Sequence, residues 1–276
     1  MADESTLTIG GDLTVNRMGF GALRIIGGGG WGAPADRAAS VALLRHVVKS
    51  GVTFIDTADS YGPGTSEELI AEALHPYRGI VIATKGGLTR PNRNSWQPNG
   101  RPDHLRRALE ASLKRLRVER IDLYQLHTID SDVPLEESVG TLATLQREGK
   151  IRHIGVSNFD THELARAQKV ARIVSVQNLY NLGDRSADPV IDVCARDGLA
   201  FLPWFPLNAG ALAKPARKLR DVSERLKASP SQVALAWLMK RSPAMLPIPG
   251  TSSQAHFDEN WAARNLRLSD ADFAAL

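Results

Sequence analysis

Short apolar runs rich in β-branched residues alternate along the chain with longer stretches whose apolar residues recur every three or four positions. The opening differs: Leu7-Thr8-Ile9 and Leu13-Thr14-Val15 flank Gly10-Gly11-Asp12, which predicts a β-hairpin with a glycine-containing turn. Eight strand candidates follow, over 18–21, 53–56, 80–84, 122–126, 153–156, 174–177, 200–203 and 244–248. Helical periodicity fills much of the space between them. Residues 37–50 carry Val41, Leu44, Val47 and Val48 on one side and stop at Gly51, while 102–116 opens on Pro102 and repeats Leu105, Ala108, Leu109 and Leu113. Residues 134–148 end at Gly149. Asp160, with Glu163 three residues on, predicts a capped helix running to Val170, and Ser229-Pro230 opens another through Val233, Leu235, Trp237 and Leu238.

Strands that alternate with helices imply parallel pairing through right-handed crossovers. Eight such units predict one α/β domain over residues 1–276, a (β/α)8 TIM barrel preceded by the N-terminal β-hairpin. On rhythm alone an open doubly wound sheet is the alternative. The length of 276 residues suits a barrel, which needs roughly 250. With 43% apolar and 23% charged residues, a large core can be buried.

The remaining composition removes function classes. The net charge of +4 raises nucleic-acid binding, but Arg106, Arg107, Lys114, Arg115 and Arg117 fall at helical spacing and read as a solvated face without a recognition motif. Cys194 is the single cysteine, so neither an internal disulfide nor a cysteine-based zinc cage is available, and no metal site is expected. The start lacks a charged-then-apolar leader, and no apolar run approaches the roughly 18 residues of a membrane span, so a cytoplasmic protein is expected.

In a barrel, chemistry belongs at the C-terminal ends of the strands. Asp56 ends the second strand with Tyr61 in the loop beyond it, Lys85 ends the third and His127 the fourth, so a carboxylate, a phenol, an ammonium and an imidazole share one mouth. Reducing a carbonyl requires a proton at oxygen as hydride reaches carbon. A free tyrosine, with a pKa of about 10, is poorly matched to that task near neutrality. An adjacent ammonium should favour phenolate and lower the tyrosine pKa, an aspartate should keep that lysine charged, and an imidazole can orient the oxygen.

The blocks Gly19-Phe20-Gly21, Phe54-Ile55-Asp56-Thr57-Ala58-Asp59-Ser60-Tyr61-Gly62, Thr84-Lys85 and Leu126-His127 resemble the aldo-keto reductase signature. So do residues 149–159 and Ile248-Pro249-Gly250-Thr251, and the blocks keep the family's order from about Met18 to Asn260. The resemblance implies Tyr61 as acid/base, Lys85 and Asp56 as its tuning pair, His127 as orienter of substrate, and hydride transfer from NADPH, with NAD possible, to a small-molecule aldehyde or ketone. It also implies a cofactor lining of Gly21 and Ala22, then Ser157, Asn158 and Gln177 toward the carboxamide, with Trp204 stacked where relatives usually place Tyr. Phe205, Pro206, Leu207 and Gly210 match the pyrophosphate wrap. Gly250, Thr251, Ser252, Ser253, His256, Glu259 and Asn260 match the adenosine end. His256 stands where relatives often have Arg, and no Lys stands near Ser253, so a weaker grip on the 2′-phosphate is expected.

Gly27-Gly28-Gly29-Gly30 lacks the Lys-Ser/Thr of a P-loop and reads as a flexible loop beside Trp31. Trp31 and Trp96 are the candidate substrate contacts. Two other readings stay open: a nicotinamide-binding regulatory or sensor subunit with little turnover, and an NAD-linked dehydrogenase of pyridoxine-like alcohols.

Overall fold

A computed structural model describes residues 5–208 and 216–276. The hairpin comprises β1 (Thr6–Ile9) and β2 (Leu13–Asn16), paired antiparallel with Ile9 opposite Leu13. Seven parallel strands then form one sheet: β3 (Phe20–Gly21), β4 (Phe54–Asp56), β5 (Val81–Gly86), β8 (Ile121–Leu126), β9 (Ile151–Ser157), β10 (Ile173–Leu179) and β11 (Ala200–Trp204). They lie in the order β11-β10-β9-β8-β5-β4-β3.

The eighth segment closes the barrel without becoming a regular strand. Phe201 N–H donates to Ala244 at 2.8 Å and Leu246 N–H to Phe201 at 2.8 Å, while Gly19 N–H donates to Pro247 at 2.9 Å and Gly21 N–H to Pro249 at 3.4 Å. The predicted strand over 244–248 is thus replaced by an irregular seam. Pro247 and Pro249 have no N–H, so the segment accepts where a full strand would also donate.

The predicted helices form close to their expected bounds: α1 (Arg37–Lys49), α3 (Pro102–Leu116), α4 (Leu135–Arg147), α5 (Thr161–Gln168) and α8 (Pro230–Arg241). Asp36 caps α1, and Asp160/Glu163 and Ser229/Gln232 form reciprocal capping boxes on α5 and α8. Further helices are α2 (Thr65–Leu74), α6 (Asp188–Asp197), α7 (Arg217–Leu226), α9 (Gln254–Ala262) and α10 (Asp270–Ala275). A second hairpin, β6 (Leu88–Asn92) and β7 (Ser95–Pro98), rises from the end of β5 where the sequence predicts only a loop.

The two-residue period of the strands divides the barrel interior into layers. Phe54, Ala83, Leu123, Val174, Leu202 and Leu246 pack into one apolar cluster with Ile9, Leu13 and Val15 of the N-terminal hairpin. Two residues further on, the same strand faces carry Asp56, Lys85, Gln125 and Trp204. A dry apolar layer therefore underlies the polar mouth. A larger core between strands and helices, including Ile55, Ile82, Tyr124, Leu142 and Val176, holds the outer ring in place. Among the described residues no helix is long and apolar enough to cross a membrane.

Candidate functional site

The structure brings Asp56, Tyr61, Lys85 and His127 together at the mouth, all buried. Lys85 Nζ donates to Asp56 Oδ2 at 2.7 Å and to the Thr57 carbonyl at 2.8 Å, and lies 3.5 Å from the Tyr61 hydroxyl. The second Asp56 oxygen accepts from Gln177 Nε2 at 2.8 Å and from Gln125 Nε2 at 3.3 Å. The carboxylate is thereby saturated, and the ammonium is aimed at the phenol. His127 sits edge-on to Tyr61 with ring centroids 5.9 Å apart, and its Nδ1 faces Ser60 Oγ at 3.4 Å.

Burial reverses one expectation. It raises the Tyr61 hydroxyl above its ordinary pKa, and the opposing pull of Lys85 does not overcome it. The phenol is accordingly held protonated. For Lys85, burial works to lower the pKa, but the Asp56 charge, Tyr61 and their hydrogen bonds outweigh it, so the ammonium is retained. Burial, followed by the Lys85 charge, drives His127 well below the usual histidine range and leaves a neutral imidazole. The apparatus rests as a neutral acid, a fixed cation and a neutral ring.

These groups open onto a cavity of about 800 Å³, of the size and largely apolar lining typical of ligand sites. Tyr61, Asp56 and His127 line its deep part, whereas Lys85 is fully enclosed behind them. Ser157, Asn158 and Gln177 line the wall beside them. Asn158 adopts φ +62°, donates to the His127 carbonyl at 3.1 Å and accepts from Trp204 Nε1 at 3.0 Å. That bond holds the Trp204 ring on the cavity wall rather than in the core.

Phe205, Pro206 and Leu207 continue the lining, while Gly210 lies outside the described residues. Gly21, Gly250, Thr251 and Ser252 follow, then His256, Glu259 and Asn260 from α9. Ala22 is fully buried and Ser253 caps α9, accepting from His256 N–H, so neither belongs to the lining. Trp96 and Leu88 of the second hairpin line the opposite end. Trp31 stands off the cavity.

Sequence reasoning overlooked Arg24. It is exposed at the cavity wall against Gly250, and among the described residues it has no hydrogen-bonding or ion-pairing partner. Its signal was position alone, three residues past Gly21 at the end of a strand.

Residues 17–276 match the Aldo/keto reductase family. The chain is 49% identical over 266 residues to an uncharacterized oxidoreductase of Schizosaccharomyces pombe, covering 96% of this chain and 87% of that one. It is 42% identical over 279 residues to the pyridoxine 4-dehydrogenase of Escherichia coli, covering 99% and 97%. The crystal structure of an aldo-keto reductase from Klebsiella pneumoniae in complex with NADPH superposes with a TM-score of 0.83 at 30% identity, covering 98% of this chain and 93% of that one. A barrel with polar groups gathered at its strand ends, matched from end to end by these relatives, places the chain in the aldo/keto reductase family of oxidoreductases.

Proposed function

We propose that this protein interconverts aldehydes or ketones and alcohols with NADP(H), using Tyr61 as the general acid and base. The observation that carries the reading is the Tyr61 hydroxyl on the cavity wall, 3.5 Å from an enclosed Lys85 ammonium that is itself 2.7 Å from Asp56. The cavity fits a dinucleotide on its own features. Trp204 offers an aromatic face, Ser157 and Asn158 offer polar groups beside it, and Arg24 offers an uncommitted cation near Gly250, suited to a phosphate. The NADPH complex of the Klebsiella relative supports the choice of cofactor.

When bound, NADPH supplies the hydride. The protein's own part is the proton. Tyr61, held neutral by burial, donates it to the carbonyl oxygen, and Lys85 stabilises the phenolate left behind. Asp56 fixes Lys85 and prevents it from surrendering its own proton. The neutral His127 can hydrogen-bond the same oxygen without adding charge. In the reverse direction the phenolate accepts the alcohol proton. The E. coli relative favours a second reading, oxidation of a pyridoxine-like alcohol at this same site.

The test is NADPH oxidation and NADP+ reduction by purified protein, with aromatic and aliphatic carbonyls and with pyridoxine-type alcohols. Saturable turnover in either direction is expected. Tight cofactor binding with no turnover in either direction would overturn the enzymatic reading in favour of a nicotinamide-binding regulatory subunit.

A further inference from the structure

Arg90 is buried, yet among the described residues no carboxylate pairs with it. Its Nη1 donates to the Gly30 carbonyl at 3.0 Å, and its Nη2 to the carbonyls of Gly29, at 3.4 Å, and Arg93. Its Cζ lies over two indoles, 3.7 Å from the Trp96 ring centre and 5.3 Å from that of Trp31. A buried guanidinium normally requires an acid, because desolvation of the charge is costly. Here carbonyl dipoles and two aromatic faces replace it, and Nε is buried with no hydrogen-bond partner among the described residues.

This side chain joins three separate pieces of the mouth. The first is the hairpin β6–β7, which springs from Gly86-Gly87, where the Gly86 carbonyl accepts from His127 N–H at 2.9 Å. The second is the glycine run, in which Gly29 and Gly30 both sit at φ +71° and a Cβ at Gly27 would collide with the Trp31 carbonyl. The third is the loop of Tyr61, because the Gly30 carbonyl that Arg90 holds also accepts from Gly62 N–H at 3.0 Å. These ties meet at the guanidinium that underlies Trp96, which is 42% exposed and lines the cavity.

We propose that Arg90 is a specificity-determining positioning residue, which locks Trp96 as a flat wall at the substrate end and selects planar, ring-bearing carbonyls over aliphatic ones. The inference rests on the reading of this cavity as a carbonyl-reductase site. A preset aromatic wall gains stacking with a ring without paying to order a loose indole, and these two effects together amount to about a tenfold preference. An aliphatic chain of equal size gains less from a fixed plane.

The experiment compares wild type, Arg90→Met, Trp96→Ala and the double variant on two readouts. One is the ratio of kcat/KM for benzaldehyde to that for butanal with NADPH. The other, independent of turnover, is the ratio of dissociation constants of benzyl alcohol and butanol by calorimetry on the NADPH-loaded protein. Both single variants are expected to lower each aromatic preference about tenfold, through KM rather than kcat, with unchanged NADPH affinity. The double variant should lose no more than either single one, since one wall is removed only once. Trp96→Ala alters an exposed side chain and keeps the proposal testable if Arg90→Met folds poorly. Unchanged preference in Trp96→Ala, or additive losses in the double variant, would overturn it. Absence of turnover in wild type would instead defeat the proposed function, and the calorimetric ratio would still decide the role of Arg90.

Discussion

The two ends of the cavity are built on opposite principles. At the deep end, Asp56, Lys85, Tyr61 and His127 are buried and interlocked, with Asp56 accepting from Lys85, Gln125 and Gln177. At the outer end, Arg24 and His256 are exposed, and Arg24 has no hydrogen-bonding or ion-pairing partner among the described residues. The deep groups gain strength from low dielectric and lose any freedom to adapt. The outer groups are screened by water, so each is worth little alone and substitutions there are tolerated. Removing a deep group should therefore abolish a function, whereas removing an outer one should only retune it.

The largest expected effect is that of Tyr61→Phe, which removes the proton but keeps the ring. Steady-state assays should show kcat reduced by about 10²–10⁴-fold, with NADPH affinity close to wild type. Retention of more than a tenth of kcat would break the contrast, because the deep end would then be as tolerant as the outer one.

Asp59 tests whether burial itself sets the deep end's behaviour. Its Oδ1 is buried with no hydrogen-bond partner among the described residues. Burial first, then the Glu67 charge, pushes its pKa up to about 8, against the pull of Arg115 and Lys85. A carboxyl that holds its proton more tightly when folded contributes stability fully present below about pH 4, and that contribution is lost as pH rises through about 8. Melting temperature should therefore fall between pH 6 and pH 9 in wild type and fall less in Asp59→Asn. Parallel curves for the two proteins would remove Asp59 from the account.

Trp204 lies between the two ends. Trp204→Ala should weaken NADPH binding about fivefold, the size of an aromatic contact worth about 1 kcal/mol, as read by fluorescence titration. Lost thermal stability with intact cofactor affinity would assign the ring to packing instead. The smallest effect belongs to the outer end. His256→Arg supplies a permanent fork for the 2′-phosphate and, exposed as it is, should raise the kcat/KM ratio of NADPH over NADH by only about threefold. A ratio unmoved by the change would place His256 away from that phosphate.

Much of this was legible in the sequence where local signals and tertiary structure agree. Seven strands, five helices and the capping pairs Asp160/Glu163 and Ser229/Gln232 follow from periodicity and cap chemistry. The four deep side chains were found because strand ends in a barrel converge. What escaped depends on contacts distant in sequence. The hairpin β6–β7 contains Arg90, Pro91, Asn92 and Pro98, which read as a loop, and it is held by Arg90 reaching back sixty residues to Gly30. Helix α2 is preceded by Gly64 in a left-handed conformation that supplies no side-chain cap, so its start lacks the usual capping signal. The expected lowering of the Tyr61 pKa counted the neighbouring ammonium correctly but omitted the larger cost of burial, which only the packed barrel reveals.

The proline-bearing seam bears on a hazard that precedes catalysis. Until 244–250 docks, the sheet has two open edges, and open edges recruit foreign strands into aggregates. One of these edges, β3, is only two residues long, and the other, β11, contains Pro203. The closing segment brings Pro247 and Pro249, so it too has few N–H groups to offer to a stranger. Both edges of the barrel sheet, and the segment that joins them, are thus poor templates for a neighbouring chain. The irregularity that costs the barrel a regular eighth strand protects the chain during the interval when it is most exposed to its own copies.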